Sequence, residues 1–268
     1  MNKRLFYSNL DKFSEILQMN ATNLQAFFFH SKVYVEGIRK SISMVEKYCR
    51  KGTTILDLGC GTGFLSMQLA SLGFYVEGID VEPDNFETIK EFKKRRGLQI
   101  EIWKALENSN TGFQFYDGIK IPFGNQSFDD VVAHAVVEHI PVENINQLFQ
   151  EISRVLKPCG YFLIFRTPRR QALIEHVARI LRMGSHDVLM DESEIISMLK
   201  NNNFEVICFQ RTDMVFGSLP GKLQCILNFL SPVLLIVDRL ALRTPLSIIA
   251  HHMRIIARKQ IHKKDQHL

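Results

Sequence analysis

Short apolar runs alternate with amphipathic stretches through the middle of this 268-residue chain. Between residues 54 and 166 the runs are rich in β-branched and apolar side chains, and they read TTILDL, YVEGID, GFQFYD, FDDVVAHA and YFLIFRT. Continuous apolar runs of this length are typical of strands buried on both faces of a parallel sheet. Their alternation with helical patterns predicts an α/β fold with helices on both faces and right-handed crossovers.

Helical spacing of apolar residues marks the elements between these strands. Residues 36–50 place Ile38, Ile42 and Val45 on one face of a helix. By the same reasoning and from capping residues, we predict helices over 9–30, 36–50, 64–71, 83–96, 143–156 and 191–200. The runs FEVICFQR and MRIIARK predict two later strands, and the stretch 98–112 is left open between an additional helix and irregular chain.

Composition narrows the class of protein. A hydrophobic fraction of 46% predicts a folded chain, and the five scattered cysteines contain no C-x-x-C pair, so we predict no metal site and a reducing compartment. The N-terminal residues lack the apolar segment of a signal peptide, which favours a cytoplasmic location.

The net charge of +5 is concentrated at 93–96 and in the basic tail from Arg254 onward. Such runs usually form a solvated face, and the functional alternative is contact with nucleic acid or an anionic membrane surface. Basic clusters interleaved with aromatic residues, as expected for binding of single-stranded nucleic acid, are not evident, so an RNA acceptor is less favoured.

The stretch ILDLGCGTGF, residues 55–64, carries the most specific chemistry. Glycines allow positive φ angles and let a ligand approach the backbone closely, and the helix that follows offers unpaired N–H groups. The spacing is G-x-G-x-G, and Phe64 stands where a dinucleotide-binding loop has its third glycine. This spacing counts against an NAD-dependent reductase, which we keep as an alternative.

Two aspartates define the ligand that this loop would accept. Asp57 precedes the glycines, where its charge would repel a pyrophosphate by about 4 kcal/mol at 4 Å and an effective dielectric constant of 20. A ligand with an ammonium and a sulfonium group would instead be attracted. Asp80 ends the next strand, where a carboxylate can accept hydrogen bonds from a ribose diol.

These motifs resemble those of class I S-adenosylmethionine-dependent methyltransferases. ILDLGCGTGF resembles the first motif, GIDVEP the acidic motif of the second strand, and YDGIKIPFGNQSFDDVVAHAVVEHI the segment around the fourth strand. EISRVLKPCGYFLIFRTP resembles the helix, turn and fifth strand, although Cys159 stands where the family usually has glycine and residues 98–112 add length. The ordered match covers roughly residues 52–168. It implies a Rossmann-like, seven-stranded, mostly parallel sheet with helices on both faces.

The resemblance also implies roles for individual residues. The cofactor-binding positions would be Asp57, Gly59, Cys60, Gly61, Thr62, Gly63, Asp80, Val81, Asp117, Gly118 and His134. The loop glycines would line the methionine part, and Asp57 would orient its ammonium. Asp80 would hold the ribose hydroxyls while Val81 packs on the adenine. Asp117 would accept a hydrogen bond from the adenine amino group, and the Gly118 N–H would face the ring.

Methyl transfer requires alignment of the acceptor and exclusion of water, and it requires a base when the acceptor must lose a proton. His134, which would face the sulfonium, and His139 are the catalytic candidates. His139 could instead fill a structural position of the family. His30 and Tyr34 could close over the site from the N-terminal side.

Residues 219–250 form an unusual apolar segment. Its core, residues 225–237, is 13 residues long, which is shorter than the roughly 20 residues of a spanning helix. It predicts either a helical insertion packed on the domain, or an apolar cap or surface that contacts a membrane together with the basic tail. The second alternative suits a lipid-like acceptor, such as a quinone precursor or a polyprenyl-linked sugar.

We therefore predict four regions: a helical N-terminal cap (1–50), a cofactor-binding domain (51–212), an apolar helical insertion (213–250), and the last strand with a basic tail (251–268). The predicted activity is S-adenosylmethionine-dependent methyl transfer to a small-molecule or lipid-like acceptor, at oxygen. The protein would be cytoplasmic, with peripheral contact to the inner face of a membrane. A non-catalytic, cofactor-binding scaffold is the second alternative, and the oligomeric state is not predicted.

Overall fold

A computed structural model of the chain describes residues 30–82, 112–180, 186, 188–215, 217 and 222–261. Residues 9–29 of the helix predicted over 9–30 lie outside the described residues, as does the whole helix predicted over 83–96 with its basic run. Residues 98–111 of the stretch left open over 98–112 and the basic residues after 261 also lie outside them.

Seven strands form one sheet in the order β3-β2-β1-β4-β5-β7-β6. Their bounds are β1 Thr54–Leu58, β2 Tyr75–Asp80, β3 Gly112–Phe115, β4 Phe128–His134, β5 Leu156–Pro168, β6 Phe204–Thr212 and β7 His252–Lys259. The first five strands pair in parallel, and β7 is antiparallel to both β5 and β6. The predicted α/β fold with a mostly parallel seven-stranded sheet is confirmed.

Helices cover both faces of this sheet. Among the described residues they are α1 Lys32–Tyr48, α2 Phe64–Ser71, α3 Val142–Val155, α4 Leu173–Ile180, α5 Glu192–Asn201 and α6 Leu223–Ala241. Two short 3₁₀ helices lie at Val137–His139, before α3, and at Pro245–Ile249, after α6. The capping box predicted at Asp191 and Glu194 opens α5. Helix α4 was not among the predicted helices, and its buried residue is Glu175.

The side chains of each strand alternate between two cores. Ile55 of β1 joins the core under α1 and α2, whereas Leu56 and Leu58 join the core under α3 and α5. Helix α1 packs on the first core through residues that include Ile38 and Ile42, so this part of the region 1–50 belongs to the same core as the sheet. The alternation places Asp57 on the α1–α2 side, at the carboxyl end of β1.

The basic residues of β7 are largely used within the fold. Lys259 is buried, and its ammonium donates hydrogen bonds to the carbonyl oxygens of Ser153 and Leu156 at 2.6 and 2.7 Å. The Arg254 guanidinium lies 5.7 Å from the Phe165 ring. These two charges are therefore not available to a membrane surface as the basic-tail hypothesis assumed.

Candidate functional site

The loop between β1 and α2 folds back over the end of β2. Gly59, Gly61 and Gly63 all have positive φ, and the N–H groups of Gly59 and Cys60 donate to the Ile79 carbonyl at 2.8 and 3.0 Å. A Cβ atom at Gly59 would lie 2.6 Å from Cγ2 of Val136. Glycine is therefore required there by both backbone conformation and space.

Asp57 is buried at the end of β1, where α2 supplies its partner. The Ser66 hydroxyl donates to its carboxylate at 2.5 Å. The pKa of Asp57 is raised to about 7. Burial is the largest cause, the hydrogen bond from Ser66 opposes it, and the nearby Asp80 carboxylate acts in the same direction as burial. A cation bound beside this pair of carboxylates would offset their repulsion and favour ionised Asp57.

Asp80 organises the tip of the loop from the end of β2. One carboxylate oxygen accepts the N–H of Gly61 at 2.7 Å, and the other accepts the N–H of Glu82 at 2.9 Å. A carboxylate oxygen can accept more than one hydrogen bond, so this geometry is compatible with two further donors from a ribose diol.

A cavity of about 430 Å³ opens between these two aspartates. Nine of the predicted site residues line it: Asp57, Gly59, Cys60, Gly61, Thr62, Asp80, Val81, His134 and His139. Apolar side chains from α1 and α2, together with residues 135–136, complete much of its wall. Because the cavity lies at the carboxyl ends of parallel strands, it occupies the usual ligand position of such sheets.

Three other predicted residues lie beside the cavity rather than in its lining. Gly63 begins α2 as its N-cap. Gly118 lies next to Val81, since a Cβ there would be 3.3 Å from Cγ1 of Val81. Asp117 is exposed, and its Oδ1 accepts the N–H groups of Ile119 and Lys120 at 2.9 and 3.0 Å, which lowers the pKa of its carboxyl. Its role toward adenine stays a prediction.

The two histidine candidates differ in basicity. Burial, followed by the charges of Arg166 and Arg254, lowers the pKa of His134 to about 3, and its Nε2 has no hydrogen-bond partner among the described residues. Such a ring is a weak base but can donate or accept one hydrogen bond to a bound ligand. His139 is exposed, and partial desolvation of its ring is the main cause that lowers its pKa, followed by the charge of His186.

Tyr116 and Arg166 were not predicted from the sequence to belong to this site, and Tyr34 was predicted only to close over it. Tyr116 lines the cavity, and burial raises the pKa of its hydroxyl to about 12. Tyr34 of α1, which the sequence offered only as a residue that could close over the site, also lines it. Arg166 at the end of β5 places its guanidinium 4.6 Å from the Tyr34 ring and 3.5 Å from the Asp213 carboxylate.

Comparison with known proteins identifies this arrangement. Residues 56–164 match the family model described as "Methyltransferase domain". Over these residues the chain is similar to the S-adenosylmethionine-dependent methyltransferases that its motifs resemble. This match begins within β1 and ends within β5, and it includes every residue that lines the cavity except Tyr34 and Ile38 of α1.

Curated relatives extend the similarity of this methyltransferase domain. The ubiquinone biosynthesis O-methyltransferase of Paramagnetospirillum magneticum is 30% identical over 178 residues, which cover 63% of this chain and 65% of the relative. The Caulobacter vibrioides protein of the same name is 33% identical over 144 residues, which cover 51% and 52%. The chain thus spans less than two thirds of the length of these relatives.

Solved structures share the fold at lower sequence identity. A SAM-dependent methyltransferase from Methanosarcina mazei has a TM-score of 0.57 at 19% identity, covering 82% of this chain and 98% of that one. Magnesium protoporphyrin IX methyltransferase from Synechocystis PCC 6803, solved with bound SAH, has a TM-score of 0.58 at 16% identity, covering 89% of each chain. These similarities establish the fold of the methyltransferase domain.

Proposed function

We propose that this methyltransferase transfers a methyl group from S-adenosylmethionine to an oxygen atom of a lipid-like acceptor, and that α6 holds it against the membrane that contains the acceptor. The pair of buried carboxylates facing the cavity carries the first part of this proposal. The names of the curated relatives support an oxygen acceptor in quinone synthesis. The outward face of α6 carries the membrane part.

The residues present fit the cofactor. Asp57 would hold the ammonium group, Asp80 the ribose hydroxyls, and Val81 and Tyr116 the adenine end of the cavity. The bound cofactor supplies a methyl group on a cationic sulfur, which needs no further activation by the protein. The cavity walls would align the acceptor oxygen with that methyl group and exclude water.

An acceptor hydroxyl must lose its proton as the new oxygen–carbon bond forms. Both predicted bases line the cavity, but the surroundings of His134 lower its pKa to about 3, so we assign the proton transfer to His139. His139 would take the acceptor proton, while the sulfur–methyl bond breaks and leaves a neutral thioether. Nε2 of His134 would hydrogen-bond the acceptor and hold it in place.

Helix α6 has its polar side turned toward the protein. Gln224, Ser231 and Asp238 are buried, and the Asn228 side chain accepts the N–H of Lys32 at 2.9 Å and donates to the His30 carbonyl at 2.8 Å. The opposite side is apolar and exposed; it consists of Leu223, Ile226, Phe229, Leu230, Val233, Ile236, Val237 and Leu240, which we call the outer face. Exposed apolar patches of this kind mark interaction surfaces.

A bilayer surface fits the outer face better than a transmembrane position. By length and composition α6 could cross a membrane, but its polar side is hydrogen-bonded along α1 and its interior contains Pro232. Exposed Lys222 lies at its start, and exposed Arg239 and Arg243 lie near its end. A helix lying in the interface with cations beside anionic headgroups is the expected arrangement. We therefore propose peripheral attachment to the inner face of a cytoplasmic membrane.

Methyl transfer can be tested directly. The full chain would be incubated with S-adenosylmethionine and prenylated catechols or phenols in vesicles, and products would be detected by mass spectrometry. The proposal predicts a product 14 mass units heavier, its loss in His139→Asn, and unchanged cofactor binding in that variant. Cofactor binding without product from any prenylated phenol, catechol or polyprenyl-linked sugar would favour a non-catalytic scaffold.

Membrane attachment can be tested by flotation with vesicles of phosphatidylcholine, with and without phosphatidylglycerol. Wild-type protein should float, more strongly with the anionic lipid, and the double variant Phe229→Glu/Val233→Glu should stay in solution. Val142 is a matched control, because it is 54% exposed on α3, on the other side of the sheet. Equal flotation of the double variant and Val142→Glu would contradict the proposal, and so would failure of the wild type to float.

A further inference from the structure

Three potential metal ligands meet outside the cofactor cavity. They are Glu175 in the first turn of α4, His186 in the segment after it, and His251 immediately before β7. Their ligand atoms all lie within 4.8 Å of one another. Oε1 of Glu175 lies 2.7 Å from Nδ1 of His186 and 2.7 Å from Nε2 of His251.

The surrounding structure fixes the orientation of these groups. Oε2 of Glu175 accepts the backbone N–H of His186 at 3.1 Å. The backbone N–H of His251 donates to the Asp213 carbonyl at 2.9 Å. The ring of His252 stacks on that of His251 at 3.7 Å, and its Nδ1 lies 2.8 Å from the Asp213 carboxylate. These contacts restrain the Glu175 carboxylate and the His251 ring.

The buried carboxylate needs a positive partner. Glu175 is 2% exposed, and burying an ionised carboxylate is costly unless a cation compensates its charge. The two nearest groups are imidazoles, which are neutral when they act as metal ligands. Two other charges act on His186, the Glu138 carboxylate and the Arg166 guanidinium, and they oppose each other. A divalent cation among the three ligand atoms would compensate the carboxylate in place of a proton held between it and the imidazoles.

We propose that Glu175, His186 and His251 form a binding site for a divalent first-row transition metal of the zinc or iron class. Two imidazole nitrogens and one carboxylate oxygen are the donor set these ions prefer, whereas Mg²⁺ and Ca²⁺ favour oxygen ligands. A metal 2.0–2.1 Å from each donor separates the donors by roughly 3 Å. The two carboxylate–imidazole distances of 2.7 Å are close to this value, and the two imidazole nitrogens, which lie within 4.8 Å of each other, would move together on binding. The prediction of no metal site from the sequence rested on the spacing of the cysteines. That spacing gives no information about histidine and glutamate ligands that the fold brings together.

Three protein ligands leave coordination positions for water or another oxygen ligand. The site borders the cofactor cavity, because the His186 ring lies 6.3 Å from the ring of His139, which lines that cavity. The proposal concerns metal binding alone and does not depend on methyl transfer or on the acceptor.

The test uses the full chain, freed of metal by a chelator and then titrated with Co²⁺ or Zn²⁺. One ion should bind per chain, with the visible absorption of Co²⁺ in a low-symmetry nitrogen and oxygen site. His186→Asn and His251→Asn should each weaken binding at least tenfold. His176→Asn is the matched control, since His176 is exposed, follows Glu175 directly and is not one of the three ligands.

Glu175→Gln should also lose the ion, and circular dichroism would show whether this buried substitution keeps the fold. Because His186 is only partly buried, its variant gives a result even if Glu175→Gln does not fold. Absence of saturable binding of either metal by the wild type would overturn the proposal. Binding of equal strength in wild type and in the double variant His186→Asn/His251→Asn would overturn it as well.

Discussion

Cofactor affinity should depend on pH through a single buried carboxyl group. Asp57 is buried, has a pKa raised to about 7, and is the residue proposed to hold the ammonium of the cofactor. Only its ionised form attracts that ammonium. The ionised fraction rises from about one tenth at pH 6 to about three quarters at pH 7.5, so the apparent association constant should rise about eightfold, or ~1.2 kcal/mol. The upper limit of the range is set by the α-amino group, which itself loses a proton near pH 8.

Isothermal titration calorimetry with S-adenosylhomocysteine between pH 6 and 7.5 measures this effect without turnover. Asp57→Asn removes the charge and keeps the shape, so its affinity should be independent of pH and lowest relative to wild type at pH 7.5. Ser66→Ala removes the hydroxyl that stabilises the ionised carboxylate, so it should move the midpoint of the wild-type curve to higher pH.

A second ligand separates this cause from general effects of pH. Methylthioadenosine has the adenosine part and no ammonium, so its affinity should stay constant over the same range. The reasoning would be refuted if the wild type bound S-adenosylhomocysteine equally at pH 6 and 7.5. It would also be refuted if Asp57→Asn retained the same slope.

Three other substitutions test the residues proposed to bind the cofactor and the stability of the fold. Asp80→Ala removes the partner of the Gly61 N–H and the proposed ribose acceptor, and should weaken cofactor binding by about 3 kcal/mol, or over a hundredfold by calorimetry; an unchanged affinity would exclude Asp80 from the site. Gly59→Ala should lower the melting temperature and cofactor affinity, because its Cβ would clash with Val136, and adding Val136→Ala should restore part of both; no rescue would locate the damage in the backbone alone. Cys159 has φ of +64°, so Cys159→Gly should stabilise the protein by about 1 kcal/mol, read as a melting temperature about 2–4 °C higher; a decrease would mean that its sulfur contact with Arg258 outweighs the strain.

Local sequence patterns within single strands account for the part of the site that could be predicted. Asp57 and Asp80 each end an apolar strand, and adjacent parallel strands bring such ends to one edge of the sheet. Their position at the cavity therefore followed from the strand pattern and the crossover rule. The fold class followed in the same way, because each strand carried its own local signal.

Contacts between distant segments could not be predicted from these patterns. Tyr34 reaches the cavity only because α1 packs across the carboxyl ends of the strands, and Arg166 meets it from 132 residues further along. The Asp117 carboxylate accepts hydrogen bonds from the backbone N–H groups of Ile119 and Lys120 in its own loop. The order of the strands does not predict such a local contact. In the same way, the pattern of α6 showed an apolar helix but not which side would face the protein.

The position of β7 has a consequence for how the protein is made. In the described sheet β6 hydrogen-bonds only to β7, yet β7 follows it in the chain after residues 213–251. A ribosome adding about 5–20 residues per second takes roughly 2 to 8 seconds to cross that interval. Helix α6 is synthesised within it, so its apolar outer face emerges while the sheet is still open at β5. The membrane attachment proposed for α6 would then begin before β7 joins the sheet, and the bilayer would receive a nascent chain rather than a completed domain.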